Sequence, residues 1–207
     1  MSWLRSGPDL DNIRRIDIGA TPALAVMSKR GVVVDMVLLH ETGLEVEDRI
    51  AELEESVRKV VSNERMSQLV GYEQDEQDEQ DEEDEVAFNL NSPEQVADFL
   101  FNTLLIGKGK SLKTTPGGGR ISTGKKQLEF LKEEHGVVQM LLDYRELAKI
   151  KSTYIDALPR LAKRGVDGLW RVHSTFLSTR TATGRLASRR PNLQNIPVRT
   201  ELGARIR

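Results

Sequence analysis

The chain has 207 residues, enough for one domain or two small ones, and its 38% hydrophobic, 5% aromatic and 30% charged content is lean. That composition allows a helical domain with a limited core and argues against one large core. Without cysteine there are no disulfides or thiolate metal sites, which fits a cytoplasmic protein; no apolar run approaches the ~18 residues of a membrane span, and MSWLRSGPDLD lacks a signal peptide's apolar stretch. The net charge of −2 conceals two opposed parts: residues 1–85 carry nine Lys and Arg against 22 Asp and Glu, residues 86–207 carry 21 against ten. A basic part interleaved with Ser, Thr and Asn donors suits phosphate binding, because each neutralised phosphate releases counterions.

In chain order, Pro8 to Arg30 has helical spacing (Leu10, Ile13, Ile16, Ile18, Leu24, Met27) and breaks at Gly31. Val32 to Val34 form a short β-branched run, and Asp35 is placed to cap the next helix. From Met36 to Ser62 the apolar residues Leu39, Val46, Ile50, Leu53, Val57 and Val60 define one face of a long helix, with Glu54–Arg58 and Glu55–Lys59 as i,i+4 pairs. Residues 65–87 are expected to be a flexible insertion containing EQDEQDEQDEEDE, which has no apolar face to offset its ordering entropy. It reads either as a solvated spacer or as an acidic strip that folds over the basic surface.

Order resumes at FNLNSPEQVADFLFNTL, where Ser92 is a good N-cap, Pro93 suits the first helical position and Gln95 completes a capping box. Residues 106–123 form a mobile glycine- and lysine-rich loop with Lys108, Lys110, Lys113 and Arg120; a helix starts after Thr123 and another runs from Val137 to Leu158, halted by Pro159. On that last helix Tyr144, Leu147, Ala148, Lys151, Tyr154, Ile155 and Leu158 share one side, while Arg145, Lys149 and Ser152 line an adjacent face suited to successive phosphates. Leu169 to Leu177 reads as one strand. Helices first and strand last make the fold class α+β, mostly helical.

Two nucleotide-cofactor motifs fail on spacing. A phosphate-binding loop ending at Gly109-Lys110-Ser111 would need glycine where Leu104 stands, and a dinucleotide fingerprint from Gly107 meets Leu112. The stretch TATGRLASRRPNLQNIPVRTELGARIR is more telling. From Arg180 onward it holds seven basic residues against one acid, Glu201. Arg185, Asn192, Gln194, Asn195 and Arg199 are donors of the kind that probe minor-groove acceptors common to every base pair, so they suit duplex binding without sequence preference.

The TATGRL and PNLQNIP strings, preceded in order by SKRGVVVD, FNLNSPEQVADFLF, KTTPGGGRIST and DYRELAKIKSTYIDALP, resemble family-A (DNA polymerase I-type) DNA polymerases, phage-like or bacterial, from about Arg15 to Arg207. The resemblance implies an N-terminal helix, Gly turn and long thumb helix (1–64), the acidic insertion (65–87), thumb helices and tip loop (88–160), and the start of the palm (161–207). It implies that Arg185 contacts the primer terminus in the minor groove and that Asn192, Gln194, Asn195 and Arg199 lie near the primer–template DNA. It further implies that Asn91, Ser92, Lys113, Lys149, Ser152 and Thr153 face the phosphate backbone. His40, His135 and His173 are read as scaffold.

Two departures from the family pattern stand out. Arg189 and Arg190 precede PNLQNIP where relatives commonly have serine and an acid. Between Gly168 and Arg207 the only carboxylate is Glu201, so the aspartates that hold two Mg²⁺ ions in such enzymes are expected on a second polypeptide, with the nucleotide-binding fingers. The chain is accordingly expected to be a truncated or split polymerase part, inactive alone and binding no Mg²⁺ itself. The rival readings are a non-catalytic DNA-binding module and a non-functional gene remnant.

Overall fold

A computed structural model describes residues 8–70, 88–115, 119–178, 180–181, 183–197 and 200–207. The acidic run and Arg199 lie outside the described residues. The fold is α+β, as expected, and divides into two compact units: residues 1–45 with 150–207, and residues 46–149. No helix of the described residues is long and apolar enough to cross a membrane.

In the first unit, helix α1 (Pro8–Arg30) ends at Gly31, whose N–H bonds Met27 O at 3.0 Å with φ +73. Glycine is needed there, since a Cβ would sit 3.0 Å from the His173 ring and 3.1 Å from Val172 O. The expected apolar face of α1 is not its buried face: Leu24 is buried, whereas Ile13, Ile16, Ile18 and Met27 are exposed. Helical spacing fixed the element and not what covers it. Asp35 caps helix α2 (Met36–Val70) as expected, its Oδ1 accepting from Val37 N and Leu38 N at 3.0 Å each. Helix α2 continues through residues 65–70, which had been assigned to the insertion.

The expected single strand over 169–177 is two. Strand β1 (Val32–Val33) and β2 (Lys163–Arg164) flank β3 (Trp170–Val172), both antiparallel, while β4 (Thr175–Leu177) pairs with β5 (Ala187–Arg189) in a separate sheet. The chain changes sheet at His173 and Ser174. The His173 ring lies 3.2 Å from Ser28 O, in keeping with a scaffold role, and buried Ser174 donates toward Pro191 O at 2.7 Å and Arg189 O at 3.2 Å. A 3₁₀ turn (Leu193–Asn195) and helix α7 (Glu201–Ile206) follow, and Arg205 pairs with Glu45 of α2.

The second unit is built on a continuous core. Val57 and Val61 of α2, Val96 of α3 (Pro93–Asp98), Leu100, Leu128 and Leu131 of α4 (Lys125–Leu131), and Val138 and Leu141 of α5 (Gly136–Ile150) are all buried. Phe88 and Phe99 meet edge to face with centroids 5.4 Å apart. Two local expectations change here. Arg58 pairs with Glu55 at 3.0 Å rather than with Glu54, and Lys59 also reaches Glu55 at 3.4 Å. The capping box is half formed: Ser92 Oγ accepts from Gln95 N, but the Gln95 side chain reaches past the cap to Asn89 N at 2.7 Å. The Ser92 N–H is already satisfied by Asn89 O at 3.0 Å, which leaves nothing for Gln95 to accept there.

Helix α5 passes into a π-helical turn (Lys151–Ile155) in the first unit, followed by α6 (Ala157–Leu161). Pro159 therefore does not halt the helix at Leu158; it sits in the first turn of α6, where its missing N–H costs little. The apolar side holds, with Tyr154, Ile155 and Leu158 buried, and the half-buried Lys151 ammonium pairs with Asp156 at 3.0 Å.

Two outcomes follow for stability. A Cβ on buried Gly203 of α7 would fall 2.1 Å from Pro197 O, whereas one on Gly19 of α1 meets nothing within 4 Å. Gly203→Ala is expected to lower the thermal midpoint, with overpacking costing about 1–3 kcal/mol, while Gly19→Ala raises the midpoint through a helix-propensity gain of up to ~1 kcal/mol in stability. In the turn between β2 and β3, Arg171 grips Asp167 through two 2.6 Å bonds and holds its carboxyl at about 2, below its ordinary 3.8. A depressed carboxylate stabilises the fold above its unfolded value and loses that contribution as pH falls through the folded one. Asp167→Asn should therefore be less stable than the parent near neutrality, and the gap in thermal midpoint should close as pH falls from about 4 to about 2.

Candidate nucleic-acid interface

Each unit presents its own polar surface. In the first, β4 and β5 bracket residues 178–186, and the turn beginning at Arg190 leads into the Leu193–Asn195 turn. Residues in this stretch are not equally available. Asn192 caps the 3₁₀ turn, its Oδ1 accepting from Gln194 N at 3.1 Å. The Gln194 side chain lies along β5: its Nε2 donates to Leu186 O at 2.8 Å and its Oε1 accepts from Ser188 N at 2.9 Å. Ser188, which the sequence reading did not single out, is buried, and its Oγ donates to Asn192 Oδ1 at 3.1 Å while accepting from Leu193 N and Gln194 N. The only signal for it in the sequence was a small hydroxyl residue at the centre of a strand.

Arg185 and Asn195 stand differently. Both are exposed, and among the described residues neither side chain makes a hydrogen bond or ion pair. The Arg185 backbone is held instead, its carbonyl accepting from Thr181 Oγ1 at 2.7 Å. Arg189 and Arg190 are exposed as well, with Arg190 at φ 55. Arg199 lies outside the described residues.

In the second unit the described part of the lysine-rich loop is tied by backbone bonds. Thr114 and Ile121 form an antiparallel bridge, with Ser122 N donating to Lys113 O and Thr115 N to Arg120 O, both at 2.8 Å. Two of its four cations are paired. Lys110 bonds Glu134 at 2.6 Å and lies 5.0 Å from the Phe130 ring centre, and Arg120 bonds Glu94 at 2.6 Å. Lys110, and then the Gly107 N–H at 2.6 Å, hold the Glu134 carboxyl below its usual range. Lys108 and Lys113 are exposed, without a side-chain partner among the described residues. A shallow depression of about 550 Å³ is lined by Lys113, Lys125, Lys126, Ser111, Ser122 and Phe130.

The expected row of Arg145, Lys149 and Ser152 is not uniform. Arg145 turns inward and bonds Thr123 O and Oγ1, and burial lowers its guanidinium pKa. Lys149, Ser152 and Thr153 are exposed; the first two are engaged with neighbours. Asn91 Nδ2 donates to Tyr144 OH at 2.8 Å, burial holds that phenol above its ordinary value, and half-buried Ser92 serves as the α3 cap. Among the described residues no three His, Asp or Glu side chains converge as a metal site would require.

The chain is similar to proteins of known kind over most of its length. It is 41% identical over 94% of its residues to the thermostable DNA polymerase I of Thermus aquaticus, and 33% identical over 97% to the DNA polymerase I of Deinococcus radiodurans. It spans about a fifth of the length of these curated relatives. Among solved structures it is similar to the POL domain of Pol1 from M. smegmatis in complex with DNA primer-template and dNTP, at 33% identity and TM-score 0.64 over 92% of this chain and 28% of that one. The family model for DNA polymerase family A matches residues 39–207, and the chain belongs to that family.

Proposed function

We propose that these residues form the duplex-holding part of a DNA polymerase acting in replication. In this reading residues 88–160 are the thumb with its tip loop, and residues 161–207 open the palm. Primer–template DNA is the ligand. Arg185 and Asn195, with Arg199, address minor-groove acceptors; Lys113, Lys149, Ser152 and Thr153 address the phosphate backbone. Asn91, Ser92, Asn192 and Gln194 shape the surfaces on which those groups stand. In enzymes of this family the aspartates that hold Mg²⁺ and the nucleotide-binding fingers complete the site from outside residues 1–207, and the setting is the cytoplasm of the cell or of a phage's host.

One observation carries this reading. In a chain of the polymerase family, Arg185 and Asn195 stand exposed on a segment whose other polar groups hold its shape. Exposed guanidinium and amide donors on a fixed backbone suit acceptors present at every base pair. That arrangement favours a duplex grip without sequence preference.

The test combines binding with turnover. Anisotropy of a labelled primer–template duplex should show binding that weakens steeply with salt, and Lys113→Ala should reduce the slope of log K against log salt by about 0.9, as one phosphate contact requires. Primer extension with all four deoxynucleotides and Mg²⁺ should occur only when a polypeptide carrying the remaining palm and fingers is mixed with this chain. In that mixture Arg185→Ala should lower turnover far more than DNA affinity; equal losses would remove Arg185 from the primer terminus. Binding without extension in any mixture would point to a DNA-binding module instead.

A further inference from the structure

We infer that Ser188 is the positioning residue of the duplex-facing segment, and that Gln194 acts with it by holding the segment in place rather than by contacting DNA. The inference rests on the reading that Arg185 and Asn195 face a duplex. Strand β5 pairs with β4 through Ala187, Ser188 and Arg189, which among the described residues leaves its other edge without a partner strand. On that edge the Gln194 amide takes Leu186 O and Ser188 N, the two groups that a neighbouring strand's peptide would take across one residue. Both ends of the amide are thereby engaged within the chain.

The Ser188 hydroxyl completes the arrangement. It is buried, and it binds the Asn192 side chain, Leu193 N and Gln194 N at 3.0–3.2 Å. One hydroxyl therefore serves the first two backbone N–H groups of the 3₁₀ turn, which have no partner inside a turn only three residues long. Asn195 is the last residue of that turn, so its side chain is carried by a backbone that Ser188 and Gln194 fix. Without the hydroxyl, Leu193 N and the Asn192 carbonyl each lose a partner, and Gln194 N is left with Asn192 Oδ1 alone.

The experiment is a double-mutant cycle on the whole chain, reading affinity for a labelled primer–template duplex. Asn195→Ala should weaken binding about fivefold in the parent and less than about twofold in the Ser188→Ala background, because a displaced turn no longer presents the amide. Amide hydrogen exchange at Leu193 and Gln194 should accelerate at least about tenfold in Ser188→Ala. Gln194→Ala, at an exposed position that leaves no buried hydroxyl site empty, should reproduce the coupling if Ser188→Ala fails to fold. Gln194→Glu keeps the acceptor for Ser188 N but loses the donor to Leu186 O, and should fall between. Equal cost of Asn195→Ala in the parent and in both backgrounds would overturn the inference. No effect of Asn195→Ala on affinity in the parent itself would instead overturn the duplex-facing reading, and the inference with it.

Discussion

The outer edge of β5 sets the terms for everything around it. A three-residue strand paired on one side exposes backbone groups that must find partners or water, and the segment that follows is too irregular to offer a ladder. Side chains supply the partners instead. Gln194 covers the edge, Ser188 ties the 3₁₀ turn to the strand, and Ser174 at the start of β4 holds the Arg189 and Pro191 carbonyls. Each bond is worth only ~1 kcal/mol net, but each buried group would cost more than that if left alone. The shape of residues 186–195 is therefore determined by a few polar side chains, with little apolar burial to assist. Close packing enters only farther on, where Gly203 lets α7 approach Pro197.

Charge has a different logic in the second unit. The residues from 86 onward carry a large excess of Lys and Arg, yet the loop at 106–123 returns part of that excess to nearby carboxylates. Lys110 and Arg120 are paired with Glu134 and Glu94, and Arg145 is turned toward Thr123. Exposed pairs of this kind contribute little stability, so their effect is to fix where cations stand rather than to hold the fold together. What stays on the surface without a carboxylate among the described residues is a smaller set, Lys108 and Lys113 in the loop with Lys126 beside it, since Lys125 pairs with Glu129 at 3.8 Å. Net charge counted along a sequence overstates the cations available to a polyanion.

The sequence was a good guide wherever one residue decides a local structure. Gly31 ends α1, Asp35 caps α2, and Ser92 with Pro93 opens α3, each through a backbone requirement that holds in any tertiary setting. It was a poor guide where distant groups decide. The break between β3 and β4 depends on Ser28 and Pro191, remote from His173 and Ser174 in the chain. Ile13, Ile16 and Ile18 have helical spacing, but spacing cannot say which face finds a neighbour. A proline inside a helix usually ends it, whereas the π-helical turn before Pro159 shifts it into a first turn. For the proposed interface, motif and residue type single out the segment. They could not separate the donors that face outward from those already engaged, since Asn192, Gln194 and Asn195 are chemically alike.

That separation fits what the proposed grip, indifferent to sequence, requires. A flexible amide can adjust to each base pair, but every adjustment has an entropic cost at binding, and a loop free to rearrange is also free to prefer some sequences. A rigid donor meets acceptors that occupy similar positions in every base pair and needs no adjustment. Engaging Asn192 and Gln194 within the chain reduces the number of donors a duplex could meet, and in return it gives the turn that carries Asn195 one geometry. In the proposed grip three amides of one short string thus divide the work, two immobilised so that the third can be presented.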